Sequence, residues 1–420
     1  MAVPNVHLWR DYLVHARWFQ GKGLAIGAIG WHPLAWYTND GDVWVRSELA
    51  ITQVGENTET YHLLVGYLPV GQAEPSALIG QIELPDRGLV DVVDAPHSPR
   101  AMAALLQAIT APGAPGVTWF APPPNPFDQT DVFSGEQSNT TVRIGDATLF
   151  KIFRKLSLGP NLESQVLAAL AHCGITPQLI GTLRASDDSY ELGIFSQRIA
   201  HAQDGWAWCV TACRAGRPIN DEMADLGATL RRLHADLADV FGTTTIDASQ
   251  IGQQMLARLD AARAQVPELD TWAAPLRAVL GLPAASVQVQ RVHGDFHLGQ
   301  VLMSPTGWTI IDFEGEPLKT PAERAAPDTV WRDVAGLLRS LDYARCNHDD
   351  PDGDQARQWY QGARQAFLDG YLGASPLPQP MLTAYEVDKA IYELVYETRN
   401  RPTWASLPRQ AIAEAINWSA

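Results

Sequence analysis

Cysteine is scarce in this chain, with four in 420 residues: Cys173, Cys209, Cys213 and Cys346. None has the spacing of a zinc knuckle or a redox pair, and Cys209 and Cys213, four apart on a helical stretch, read as buried free thiols. Long apolar runs are missing as well. No stretch reaches the roughly 18 apolar residues of a membrane span, and the N-terminal MAVPNVHLWRDYLVHARWFQGKG lacks a signal-peptide pattern. The expectation is a soluble protein of a reducing cytoplasm. Positive charge is also short, with Lys and Arg at 31 against Asp and Glu at 47 and a net charge of −16. That balance argues against nucleic acid and anionic membranes as partners, but not against ATP, whose phosphates Mg²⁺ and a few placed side chains neutralise locally. What the chain does have is apolar and aromatic mass, 46% hydrophobic residues with 14 Trp, enough for a large core in two or three subdomains.

The stretch with the most chemistry is Gln290 to Pro317, QRVHGDFHLGQVLMSPTGWTIIDFEGEP. Asp295 is followed five residues later by Gln300, and Asp312 comes twelve residues after that. Between them lie Val301-Leu302-Met303, a turn at Pro305-Thr306-Gly307, and Trp308-Thr309-Ile310-Ile311. Two short strands joined by a tight turn bring Gln300 and Asp312 to one end of a hairpin, facing Asp295. That arrangement suits magnesium-dependent phosphoryl transfer: one carboxylate accepts the hydroxyl proton, while an amide and a second carboxylate hold Mg²⁺ against the phosphates. His297 lines the acceptor pocket or orients the loop, and His293 with Gly294 fixes its backbone. HGD alone is a weak signal, whereas HGDxHxxQ followed at this distance by IIDFEGEP is a strong one; the bland alternative is an acidic hairpin without a metal.

Nearer the N-terminus, Val6 to Phe19 reads as an amphipathic helix ending at Gly21-Lys22-Gly23, where a helix C-terminal turn explains Lys22 better than a nucleotide role. Alternating Trp- and Val-rich runs follow, with Asn39-Asp40-Gly41 as a hairpin signal, and predict a small sheet with one helix. A helix is expected over Ser98 to Thr110, and Ala111 to Pro126, with six prolines, reads as a linker or a boundary. The polar turn at 133–141 then offers Ser134, Gln137, Ser138 and Asn139 to cover triphosphate oxygens. Lys151 lies central in an apolar strand, where a lone charge is costly unless it meets an anion. An edge-strand lysine reaching for solvent is the alternative, but the Asp295 stretch downstream favours a lysine on the α- and β-phosphates, partnered by Glu163 on the helix that Pro160 begins. Strands are expected at Gln178 to Leu183 and Tyr190 to Ile199. Ser196 to Ile199 would cross into a helical region, the place where a two-lobed kinase offers backbone hydrogen bonds to adenine.

From Gly205 the pattern is mostly helical. Met223, Leu226, Leu230, Leu233 and Leu237 form a helical stripe with His234 close by, read as a core histidine. Further helices are expected at 249–280 and 328–345, and Asn347 to Asp354 reads as a solvated acidic loop. In the C-terminal stretch, Tyr385, Asp388, Lys389, Tyr392, Glu393, Tyr396, Glu397 and Arg399 decorate a helix, and Trp404 follows a Pro turn. Aromatic faces beside carboxylates and a guanidinium suit a disaccharide; taken alone, the stretch reads as an amphipathic capping helix with surface ion pairs.

RWFQGKG near the N-terminus, GEQSNTTV at 135–142, QRVHGDFHLGQVL at 290–302 and IIDFEGEP at 310–317 carry a resemblance, as do RAAPDTVWRDVAGLLRS at 324–340 and YEVDKAIYELVYETRNRPTW at 385–404. The chain resembles the aminoglycoside-phosphotransferase and protein-kinase-like superfamily, and more closely the actinobacterial maltokinases, which phosphorylate maltose at its anomeric hydroxyl with ATP. The resemblance implies an α+β, bilobal kinase-like fold: a cap subdomain over 1–90, a β-rich intermediate subdomain over 91–200, and a helical C-lobe over 201–420. It implies Asp295 as catalytic base, Gln300 and Asp312 as Mg²⁺ ligands, and Lys151 with Glu163 at the phosphates. It also places the sugar on the C-terminal helix, which makes Asp388, Tyr392, Glu393, Tyr396, Arg399 and Trp404 sugar-contact candidates, with His297, Arg332 and Asp333 beside them. Trehalose synthase is the partner it suggests. The chain departs from the family at Phe296, where Leu is commoner, and at ASLP after Trp404, where an apolar-Pro-Ile-Pro run is usual. Two other readings stand beside it. A kinase of the same fold for an amino sugar such as glucosamine, or for an aminoglycoside-type acceptor, would use Asp388 and Glu393 for an ammonium, though Glu314 and Glu316 in DFEGEP favour maltose. A catalytically silent scaffold would be expected to lose Asp295, Asp312 or Lys151, and all three are present.

Overall fold

Apolar alternation in the first hundred residues builds a sheet rather than isolated hairpins. The computed structural model describes residues 6–22, 26–38, 41–55, 57–85, 87–133, 138–316 and 319–418. It divides into two compact units, one of residues 1–171 and 177–200, the other of 172–176 and 201–420. The hairpin signal at Asn39-Asp40 lies outside the described residues, but the strands on either side of it, β1 (Ile26–Thr38) and β2 (Trp44–Val54), pair antiparallel.

Among the described residues the first unit holds two sheets. One has the order β1-β2-β3-β5-β4, with β3 at Asn57–Pro69, β4 at Leu78–Leu84 and β5 at Gly88–Asp94. Successive residues of a strand point to opposite faces. Accordingly Tyr61, Leu63, Val65 and Tyr67 face one side, where Trp9 and Leu13 from helix α1 (Val6–His15) join them in the core. On the other face α2 (Pro99–Ile109) comes so close that a Cβ on Gly66 would lie 2.7 Å from the Ala101 Cβ. Ser98 caps α2 by accepting from the Ala101 amide, which explains why the helix starts one residue inside the expected range.

The second sheet comprises β6 (Val117–Trp119), β7 (Thr130–Val132), β8 (Thr140–Ile144), β9 (Thr148–Ile152), β11 (Leu179–Arg184) and β12 (Glu191–Gln197), in the order β6-β11-β12-β9-β8-β7. β9 is an interior strand, with Lys151 opposite Thr141 on β8 and Ile194 on β12. Lys151 is 9% exposed there, which removes the edge-strand reading. Just past β9, the two-residue strand β10 (Lys155–Leu156) leaves this sheet and pairs with Tyr61 and Thr60 of β3 in the other. Helix α3 (Leu162–Ala169) follows, capped by Asn161.

The second unit is mainly helical. β13 (Gln203–Asp204) and α4 (Gly205–Arg214) lead into α5 (Asn220–Phe241), whose expected stripe is buried throughout. Next come β14 (Thr243–Asp247), α6 (Ala248–Arg263), α7 (Ala273–Leu280) and β15 (Ser286–Gln290), the strand that leads into the Asp295 loop. β16 (Val301–Ser304) and β17 (Gly307–Ile310) form the expected hairpin, with Val301 opposite Ile310. α8 (Pro321–Ala325), α9 (Trp331–Arg345), α10 (Asp354–Leu372), α11 (Gln379–Asn400) and α12 (Ser406–Trp418) complete it. α5 crosses α10 at a distance only glycine allows: a Cβ on Gly227 would lie 2.1 Å from the Phe367 carbonyl oxygen, and one on Gly370 2.0 Å from that of Ala224. No helix among the described residues is long and apolar enough to cross a membrane.

Candidate active site

In the first unit, Lys151 Nζ meets Glu163 Oε2 at 2.8 Å, both side chains nearly buried. β9 fixes the lysine and the first turn of α3 fixes the glutamate, so the pair ties strand to helix. Of the polar turn, Ser134 and Gln137 lie outside the described residues. Ser138 is described, and Asn139 is buried with its Oδ1 accepting from the Arg154 amide at 3.3 Å. Asn139 thereby holds the end of the Lys151 strand. At the end of β12, the amides of Gln197 and Arg198 donate to the Gln178 and Ala147 carbonyls at 2.9 and 2.8 Å; Ser196 and Ile199 are half-buried on either side of them.

In the second unit, the loop after β15 is held from below by one carboxylate. Asp333, at the start of α9, accepts from the amides of His293 at 2.7 Å and Gly294 at 2.8 Å. Its Oδ2 also meets His234 Nε2 at 3.0 Å, and His234 Nδ1 meets the Tyr371 hydroxyl at 2.9 Å. Burial alone would raise the Asp333 pKa, but these hydrogen bonds and the two nearby imidazoles hold it below the usual carboxylate value. Its exposure is 0%, which corrects its place among the sugar contacts: Asp333 carries the loop backbone. His293 completes the brace. Nε2 donates to the Ile311 carbonyl at 2.9 Å, and Nδ1 accepts from the Asp295 amide at 3.4 Å. The Asp295 loop is thus tied directly to the end of the β16–β17 hairpin.

At that end, Gln300 Nε2 donates to Asp312 Oδ2 at 2.9 Å. Asp312 has φ +65°, a left-handed conformation that aspartate tolerates better than most residues and that is found at functional sites. Glu314 brings a carboxylate oxygen within 4.8 Å of one of Asp312. An all-oxygen donor set of amide and carboxylates suits Mg²⁺. His297 does not reach outward with both nitrogens, because Nδ1 accepts from the Gly299 amide at 3.0 Å and caps the turn that carries Gln300. Burial, the leading cause, lowers its pKa.

Residues 130–377, more than half the chain, match the family described as "Phosphotransferase enzyme family". The chain belongs to that family. Residues 12–97 match the "Maltokinase N-terminal cap domain", so this phosphotransferase carries a cap of the kind found on maltokinases. It is 30% identical over 321 residues to a glucosamine kinase of Streptacidiphilus jiangxiensis, covering 67% of this chain and 72% of the relative. A glucosamine kinase of Mycolicibacterium smegmatis is 26% identical over 317 residues, 67% of this chain and 78% of the relative. The fold resembles that of a solved glucosamine kinase in complex with glucosamine, ADP and inorganic phosphate, with a TM-score of 0.69 at 22% identity over 97% of this chain and 98% of the other.

In this phosphotransferase α11 supplies a residue that the sequence places on a decorated helix but assigns no role. Lys389 on α11 places Nζ 3.5 Å from Asp295 Oδ1 and 3.3 Å from Glu316 Oε1. Burial would lower the Lys389 pKa, yet the two carboxylates hold it above its ordinary value. Glu316 meets Arg332 at 3.0 Å and Lys319 at 3.2 Å as well. Burial opposes its charge, but Lys389, Arg332 and Lys319 together pull its pKa down to about 2. The only available signal for Lys389 was rarity, since the chain has five lysines.

Several expected sugar contacts are committed elsewhere. Arg332 bridges Glu316 and Asp328. Asp388 is gripped by Arg258, with the closest contact at 2.8 Å. Glu393 accepts two hydrogen bonds from Arg339, at 3.0 and 2.8 Å. These carboxylates are held in ion pairs; helical spacing gave their face but not their partners on α6 and α9. The aromatic part of the helix does stand open: Tyr392 and Tyr396 are 41% and 44% exposed. Lys389 Nζ lies 5.3 Å from the Tyr392 ring centroid. Trp404 stacks parallel on Tyr343 with centroids 6.1 Å apart, and Arg399 is exposed.

Proposed function

We propose that this phosphotransferase moves the γ-phosphoryl group of ATP to the anomeric hydroxyl of maltose, giving maltose 1-phosphate and ADP. The observation that carries the choice of acceptor is the Lys389 ammonium 3.5 Å from Asp295. A cation beside the proposed base repels an ammonium on the acceptor and donates readily to neutral hydroxyls. The acids that an amino sugar would need, Asp388 and Glu393, are already neutralised by arginines. The open faces of Tyr392 and Tyr396 fit the C–H faces of a sugar, and the match to a maltokinase cap supports the same reading.

In this reaction Asp295 accepts the proton of the acceptor hydroxyl as that oxygen bonds to the γ-phosphorus. The bond from phosphorus to the β–γ bridging oxygen breaks, and ADP departs with the electron pair. Asp333 and His293 hold Asp295 in position for this. Lys151, oriented by Glu163, neutralises α- and β-phosphate charge. Gln300, Asp312 and Glu314 would hold Mg²⁺, which when bound screens the phosphate oxygens.

Glucosamine is the second reading, because the named relatives are glucosamine kinases. Incubation with ATP, Mg²⁺ and each sugar separately, with ADP release measured and the phosphosugar identified by mass and NMR, decides between them. Maltose 1-phosphate is the expected product; turnover of glucosamine without turnover of maltose would overturn the proposal.

A further inference from the structure

The N-terminal run Arg17-Trp18-Phe19-Gln20 has no part in the chemistry above, yet it sits on the strand end that follows Lys151. Three residues after that lysine, Arg154 is fully buried with its guanidinium 4.9 Å from the Trp18 ring centroid. One terminal nitrogen of Arg154 reaches both oxygens of Asp94, each at 3.0 Å. Nε donates to Thr140 Oγ1 at 2.8 Å, and the backbone amide donates to Asn139 Oδ1. One side of Arg154 therefore holds the cap, through Trp18 and Asp94. The other holds Asn139 and Thr140, where the polar turn rejoins β8.

The neighbouring residues tighten the same join. His62 on β3 donates its amide to the Arg154 carbonyl at 2.8 Å, and its Nδ1 meets the Phe153 carbonyl at 3.0 Å. Lys155 reaches Gln20 at 3.0 Å and Glu59 at 2.5 Å, while Phe19 packs on Tyr61 with centroids 5.0 Å apart. A buried guanidinium has no water to fall back on, so its place is set by these partners. A shift of Trp18 or Asp94 therefore moves Arg154, and with it the two segments that flank Lys151.

We propose that Arg154 is a positioning residue through which the cap sets nucleotide affinity: Trp18 and Asp94 fix Arg154, and Arg154 fixes both the strand of Lys151 and the base of the polar turn. The proposal rests on the nucleotide role given to that strand and turn above. A purely mechanical fastening of the cap would stabilise the fold without touching phosphate binding, and the two are separable.

The test uses the full chain with Trp18→Leu and Trp18→Phe, which disturb the clamp from its cap side, and Asp94→Asn as an independent variant. Calorimetric titration with MgADP, KM for ATP, KM for the acceptor, and Tm are read for each. Trp18→Leu should weaken MgADP binding by about three- to tenfold and raise KM for ATP in step. The acceptor KM should stay unchanged, and Trp18→Phe should recover most of the nucleotide affinity. A lowered Tm with unchanged MgADP affinity in both Trp18→Leu and Asp94→Asn would overturn this inference alone. A wild-type chain that bound no MgADP would overturn the nucleotide reading together with it.

Discussion

Lys389 shapes what Asp295 can do before any substrate arrives. An ammonium 3.5 Å from Oδ1 presents a hydrogen-bond donor beside the oxygen that would take the proton. Because Lys389 also holds Glu316 at 3.3 Å, it does not lose its only partner when Asp295 changes. Replacing the carboxylate therefore tests chemistry rather than folding. Asp295→Asn should lower turnover by about a hundredfold or more, with MgADP affinity and Tm little changed. Near-normal turnover in steady-state ADP release would show that another group takes the proton.

At the scale of elements, α9 is the support on which the Asp295 loop rests. One carboxylate, Asp333, satisfies two backbone amides and an imidazole. An asparagine has only one accepting oxygen for the same donors. Asp333→Asn should therefore lower turnover by about 10- to 100-fold, with a smaller change in nucleotide affinity and with CD spectra unaltered. A variant with wild-type turnover would mean that the loop is held mainly by His293. The hairpin beside this loop was legible in the sequence, because turn residues between two β-prone runs fix its register, and the register brings Gln300 to Asp312. The stripe of α5 and the join of Lys151 with Glu163 were legible for similar reasons: local periodicity in one case, and a charge in an apolar strand that demands a partner in the other. The functions of Asp333, Asp388 and Glu393 were not. A helix wheel shows that acids share a face, but whether they meet Arg258, Arg339 or a backbone amide depends on elements tens of residues away. Lys389 was hidden for the opposite reason, among charged neighbours that made it look like one more surface ion pair.

Across the whole molecule, acid stability is set by groups buried in opposed charge states, and His62 is the one whose shift is largest among the histidines. His62 lies in the core between the Ser47 hydroxyl at 2.8 Å and the Phe153 carbonyl at 3.0 Å. Burial, and then the positive charge of Arg154, push its pKa down to about 3. The folded chain thus refuses a proton that the unfolded chain takes up below about pH 6.5. Stability from neutral His62 is complete above that pH and is lost as the pH falls towards 3, by roughly 4 kcal/mol over the full range. Glu316, with its pKa at about 2, contributes stability that is lost only at lower pH, from about 4.5 downwards. Glu48, Asp388 and Glu393, raised by burial, act in the opposite sense, since the folded chain protonates them first. His297, also lowered by burial, acts between pH 6.5 and 5 as well, so the difference between wild type and variant in that interval is what isolates His62. His62→Gln keeps a donor and an acceptor but cannot titrate. Its Tm, read by scanning calorimetry at pH 7.5, 6.5, 5.8 and 5.0, should be lower than that of the wild type at neutral pH and fall less steeply as acid is added. Two parallel Tm profiles would mean that His62 takes up its proton without leaving the fold, and that the Arg154 join opens to admit water well above pH 3.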